Sequence, residues 1–115
     1  MNVTIYHNPR CSKSRRTLAL LREHGAAPKI VDYLVDPPDA KALDRILRLL
    51  HFEPRELMRA GEPAYRALGL SDATLSREAL IDAMCANPVL IQRPIVLANS
   101  KAAVGRPPEK VLAIL

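Results

Sequence analysis

The 115-residue chain predicts one α/β domain, in which a β-α-β unit and a β-β-α unit complete a four-stranded mixed sheet with a helical insertion between them. Three observations carry this expectation. Short β-branched runs stand toward both ends of the chain, at "NVTIY" (2–6), "KIVDY" (29–33) and "IVLA" (95–98). A helical pattern joins the first two, which makes their pairing parallel and right-handed. From about 39 to 87 the pattern is helical throughout, an insertion of roughly fifty residues and longer than a common connection.

Taken in order, the first strand ends in the turn "HNPR", where Pro9 restricts the backbone. The first helix runs from about Lys13 to His24 with Leu18 and Leu21 on its apolar side, and Gly25 supplies a left-handed stop. "DPPDA" (36–40) breaks the chain after the second strand. Leu43, Ile46, Leu47 and Leu50 then recur at helical spacing. Shorter helical pieces are expected near 54–59 and 63–68, the second closed by Gly69. A further helix starts at Ser76 as N-cap, with Leu75 and Leu80 in hydrophobic-staple positions, and stops before Pro88. "IVLA" turns at Asn99–Ser100 into "KAAV" (101–104) as a hairpin, and "PPEKVLAIL" closes the chain as a helix begun by proline. A β-α-β half and a β-β-α half on one mixed sheet make the thioredoxin arrangement.

Composition narrows the function classes. No apolar run approaches the 18 or so residues that span a bilayer, and "MNVTIYHN" has no signal-peptide core, so a soluble cytoplasmic protein is expected. The net charge of +5 suits nucleic acid, an anionic membrane or a small anion. With no Trp, one Phe and arginines scattered among acids, base stacking has little to work with, and the small anion is the better reading. Cys11 and Cys85 lie 74 residues apart with no C-x-x-C or H-x-x-x-H spacing, which disfavours a structural disulfide and a zinc site alike. A monomer is expected.

Cys11 is the residue with a chemical problem attached. It falls between a polar turn and the start of the first helix, beside Arg10, Lys13, Arg15 and Arg16. Unpaired N–H groups, the positive dipole end and cations all favour a thiolate there. The same N–H groups can hold an oxyanion. The competing reading is a buried structural cysteine, which its polar neighbours oppose. Ser14 replaces the second cysteine of a dithiol motif, and the arginine of a cysteine-phosphatase loop is missing because position 17 is Thr. The Ser14 hydroxyl is in reach to donate to the Cys11 sulfur, or Ser14 serves only as a helix N-terminal residue. Four residues before Cys11, His7 either supports the thiolate electrostatically or hydrogen-bonds the turn. Cys85, beside Ile81 on an apolar helix face, reads as a core cysteine.

"YHNPRCSKSRRTL" (6–18) resembles the active-site segment of the glutaredoxin-linked arsenate reductases, the ArsC-type family. "ELMRAGEPAYRALGL" (56–70), "NPVLIQRPIVL" (87–97) and "GRPPEKVLAIL" (105–115) match it in order, so the resemblance covers essentially the whole chain. It implies a thioredoxin-like fold, Cys11 as nucleophile, and activity roles for His7, Arg59, Arg93 and Arg106. It also implies arsenate as substrate, with glutathione and glutaredoxin as external reductants and no bound metal, flavin or nicotinamide. Arginine suits this because a thiolate attacking an arsenate dianion needs permanent cations that grip a tetrahedral oxyanion. Arg93 and Arg106 each precede a proline at the edge of a predicted element, whereas Arg59 rests on the resemblance alone. The resemblance places a cis-proline at Pro94, facing the cysteine. "RCSKSR" is a variant of the family loop, in which Arg10 and Lys13 stand where smaller residues are usual.

Two other readings remain beside it. Redox-responsive transcription regulators that bind RNA polymerase share the superfamily but typically carry a C-x-x-C switch. A general thiol enzyme acting on glutathione adducts, with arsenate incidental, is the second.

Overall fold

The computed structural model describes residues 2–115. The chain forms two compact units, one from Met1–Asp36 with Arg93–Leu115 and the other from Pro37–Gln92.

The first unit is built on a sheet of β1 (Val3–His7), β2 (Lys29–Asp32), β3 (Ile95–Ala98) and β4 (Lys101–Val104), in the order β2-β1-β3-β4. β1 pairs in parallel with β2, placing Ile5 opposite Ile30, and antiparallel with β3, placing Ile5 opposite Val96. Parallel pairing of β1 and β2 needs a crossover, which α1 (Ser12–Glu23) supplies. Burial alternates along β1, with Val3, Ile5 and His7 buried. Val3 and Ile5 join Leu18 and Leu21 of α1, Val96, Ala98, Val111 and Ile114 in one apolar cluster. Each such fully buried aliphatic side chain contributes about 1.5–3 kcal/mol.

Gly25 ends α1 at φ +82°. Its N–H bonds the Arg22 carbonyl at 3.0 Å and the Ala26 N–H reaches back to Leu21 at 3.0 Å, the paired bonds of a Schellman stop. At the β3–β4 hairpin, Asn99 (φ 53°) and Ser100 (φ 59°) are both left-handed, as a two-residue type I′ turn requires. The Asn99 side-chain amide donates to the Ile114 carbonyl at 2.9 Å and ties the hairpin tip to the last helical segment.

That segment corrects the sequence expectation: Pro108–Ile114 is a 3₁₀ helix, not an α-helix. Pro108, Val111 and Ile114 are its buried residues. A spacing of three matches three residues per turn, so the tighter helix keeps this stripe on the core. The Arg93–Pro94 bond is cis, as the resemblance implied, and Arg106–Pro107 is a second cis bond that was not anticipated.

The second unit is helical. α2 (Ala40–Leu50) is capped by Asp39, whose carboxylate accepts from the Ala42 N–H at 2.8 Å; it buries Leu43, Ile46 and Leu47 and leaves Leu50 half-buried. A 3₁₀ turn (Pro54–Leu57) stands where a helical piece was expected, followed by α3 (Pro63–Ala67). α4 (Arg77–Ala86) begins at Ser76, whose hydroxyl oxygen accepts from the Ala79 N–H at 3.1 Å. Asp44 bridges α2 and α4 by accepting from Arg48 at 2.9 Å and Arg77 at 2.8 Å. A short 3₁₀ turn (Pro88–Leu90) follows, and Ile91 pairs antiparallel with Met58. Among the described residues no helix is long and apolar enough to cross a membrane.

Candidate active site

Cys11 is the N-cap of α1 with extended backbone angles (φ −91°, ψ 122°). The preceding turn holds it there. Asn8 accepts from the Arg10 N–H through its side chain and from the Cys11 N–H through its carbonyl, both at 3.0 Å. This is the local bonding that makes Asn a turn residue. Arg15 closes the turn from outside, donating to the Pro9 carbonyl at 3.0 Å. Arg15 therefore spends its guanidinium on the turn.

The Cys11 thiol is half-buried and its pKa is lowered to about 7. Burial pushes it upward, and four effects outweigh that: a hydrogen bond from the Arg93 side chain, the Ser14 N–H, the Arg93 charge and the Lys13 N–H. These are the helix N-terminus and a cation acting together on one sulfur. Cys85 is the opposite case. Burial and the nearby Asp82 and Asp39 raise its thiol, and it is half-buried in place of the core position expected, leaving it protonated and weakly nucleophilic.

Ser14 does not turn its hydroxyl to the sulfur. It is fully buried, accepts from the Asn8 N–H at 3.0 Å, and shares a hydrogen bond of 2.6 Å with His7 Nδ1. The reason is placement: Ser14 faces inward one turn into α1, and His7 is the last inward-facing residue of β1. What Ser14 brings to the sulfur is its backbone N–H. Burial lowers the His7 pKa below its usual 6.5, opposed by Asp32 and assisted by Arg22 and Arg15, so the ring is neutral at pH 7. The hydrogen bond that His7 makes is thus to Ser14 in α1 and not to the turn itself.

Arg93 and Arg106 meet. Arg106 donates through Nη1 to the Arg93 carbonyl at 2.9 Å, and Arg93 Nε is buried with no hydrogen-bond partner. Between them, Gly105 donates to the Pro94 carbonyl at 2.9 Å and lies hard against α1. A Cβ at Gly105 would come within 2.5 Å of Thr17 Oγ1 and 2.8 Å of Pro94 Cγ. Arg59 belongs to the helical unit, where its Nε pairs with Glu62 at 3.2 Å.

Asn8, Thr17 and Gly105 position the site without having been singled out from the sequence. Asn before Pro in "HNPR" was the available signal for Asn8; the other two depend on contacts between distant segments. Among the described residues no group of three or more His, Cys, Asp and Glu is placed to hold a metal ion.

A thiol with a pKa of about 7, N–H donors and a guanidinium beside it can attack an electrophile and hold the oxyanion that it carries. The profile of the ArsC family matches residues 6–114. The chain is 57% identical over 114 residues to "Uncharacterized protein YfgD" of Escherichia coli K12, covering 98% of this chain and 96% of that one. It is 48% identical over 114 residues to the arsenate reductase of Neisseria meningitidis, covering 98% and 97%. Among solved structures, the arsenate reductase from Vibrio cholerae superposes with a TM-score of 0.98 at 51% identity, over 100% of this chain and 98% of that one.

Proposed function

The chain belongs to the ArsC family, and from that premise we propose that it is an arsenate reductase drawing its electrons from glutathione and glutaredoxin. The observation that carries the reading is the Cys11 thiol, brought to about 7 by Arg93 and the N–H groups of Ser14 and Lys13. Relatives named as arsenate reductases match it end to end.

The Cys11 thiolate attacks arsenic, an S–As bond forms, and one arsenate oxygen leaves as water after taking up two protons. Arg93 and Arg106 offset the repulsion between the two anions and bind the arsenate oxygens. Arg59 enters the proposal on the resemblance of its segment alone. Glutathione then replaces a second oxygen, again released as water, giving an As–S bond to its own sulfur. A glutaredoxin thiolate attacks that glutathione sulfur; an S–S bond forms and the As–S pair stays on arsenic, which becomes As(III). Water displaces Cys11 and arsenite leaves. With Cys85 protonated and no third cysteine in the chain, the electrons come from outside.

The test is arsenate-dependent NADPH oxidation in the presence of glutathione, glutathione reductase and a glutaredoxin. Turnover that requires arsenate, glutaredoxin and Cys11, and is lost in Cys11→Ser, is the expected result. No turnover from a protein whose Cys11 still titrates near 7 would sink arsenate as the substrate.

A further inference from the structure

One groove in the sheet-bearing unit has no part in the reading so far. It starts at Ser12, the residue after the nucleophile, has a volume of about 380 Å³, and is lined by Ser12, Lys13, Arg16, Pro107, Pro108 and Glu109. Lys13, Arg16 and Glu109 are exposed and, among the described residues, their side chains make no hydrogen bond or ion pair. By contrast, Arg15 donates through Nη1 to the Pro9 carbonyl, and Arg106 gives its Nη1 to that of Arg93 and keeps its other N–H groups for the arsenate of the reading above. The groove therefore offers two free cations and one free anion beside two prolines, Pro107 exposed and Pro108 buried.

We propose that this groove docks the external thiol, and that Lys13, Arg16 and Glu109 select glutathione by charge pattern. The proposal rests on the glutathione-dependent reading above. Glutathione carries two carboxylates and one ammonium at neutral pH, the inverse of the groove. Lys13 and Arg16 receive the carboxylates and Glu109 receives the ammonium, while the thiol reaches the neighbouring Cys11 position. Exposed ion pairs are individually weak and screened by salt, so occupancy is weak and salt-sensitive. The three residues lie outside the groups that act on the Cys11 sulfur through their side chains, so selection of the thiol is separable from reactivity of the cysteine.

The test needs no arsenate. The reduced full-length protein in a Cys85→Ser background is mixed with glutathione disulfide or with neutral 2-hydroxyethyl disulfide, and adduct formation is followed by mass. In each case the Cys11 thiolate attacks one sulfur, a mixed disulfide forms, the original S–S bond breaks, and one thiolate leaves. The ratio of the two rates cancels any change in Cys11 reactivity. In Lys13→Glu/Arg16→Glu the ratio falls about tenfold, the worth of two exposed ion pairs reversed. In Glu109→Gln it falls about threefold, although the groove has become more positive.

A ratio unchanged in the double variant overturns the proposal. A ratio unchanged or raised in Glu109→Gln also overturns it, because general attraction of an anion would then explain the preference. Arsenate turnover of the wild type is scored separately. Its absence beside the expected ratios removes the substrate and leaves the groove; its presence beside flat ratios removes the groove alone.

Discussion

Arg106 Nη1 donates to the main-chain carbonyl of Arg93 at 2.9 Å, so the side chain of one arginine fixes the backbone that carries the other. Arg93, not Arg106, acts on the Cys11 sulfur. Arg106→Ala is accordingly expected to lower stability by about 1 kcal/mol through the lost hydrogen bond while the Cys11 pKa stays near 7. Urea unfolding gives the first quantity and the pH dependence of alkylation the second. An inflection displaced as far as in an Arg93 variant would contradict this division of labour.

Alkylation of Cys11 by iodoacetamide should rise with pH around an inflection at about 7. Arg93→Gln removes the cation and moves the inflection upward toward the ordinary thiol range, because the desolvation that raises the pKa remains in place. Cys85, with its pKa raised, should react only at higher pH and be distinguishable by peptide mapping.

The His7–Ser14 bond predicts a stability effect and a pH effect. Ser14→Ala leaves the buried His7 nitrogen and the Asn8 N–H without that partner, at a cost of about 1–3 kcal/mol in urea unfolding. The His7 pKa is lower folded than unfolded, so the unfolded chain binds the proton first as pH falls. The contribution of neutral His7 is thus present above 6.5 and is lost as pH drops through the folded pKa. His7→Asn should flatten this part of the stability–pH curve. An unchanged slope would mean that His7 is solvated.

Gly105→Ala places a methyl group 2.5 Å from Thr17 Oγ1 and 2.8 Å from Pro94 Cγ. Overpacking of this kind costs about 1–3 kcal/mol. Combining it with Thr17→Ala should recover part of the loss, leaving the Pro94 contact, and a double-mutant cycle by thermal denaturation measures the coupling. Strict additivity would show that α1 had shifted away instead.

Much of this architecture is legible in the sequence because its signals are local. Gly25 marks the Schellman stop, Ser76 caps α4, Asn99–Ser100 supplies the left-handed pair, and Leu43, Ile46 and Leu47 mark the buried face of α2. Cys11 at a helix start is equally local. What escaped the sequence reading depends on segments far apart. Ser14 has two candidate partners, and only the register that brings the end of β1 beside α1 selects His7 over the sulfur. Asp44 joins Arg77 across 33 residues with no periodic signal. In "PPEKVLAIL" the proline marks the start of a helix but not its type; the 3₁₀ form follows from the core contact of Pro108, Val111 and Ile114, a spacing of three set by packing and not by the local sequence.

A thiol tuned to about 7 is a compromise between abundance and strength. At neutral pH roughly half of it is ionised, and nucleophilicity falls as a thiolate becomes more stable, so an attacking sulfur works best with its pKa near the ambient pH. A second cation locked onto Cys11, beside Arg93, would raise the thiolate fraction and blunt every attack that it makes. Arg15, turned outward to the Pro9 carbonyl, leaves that balance alone.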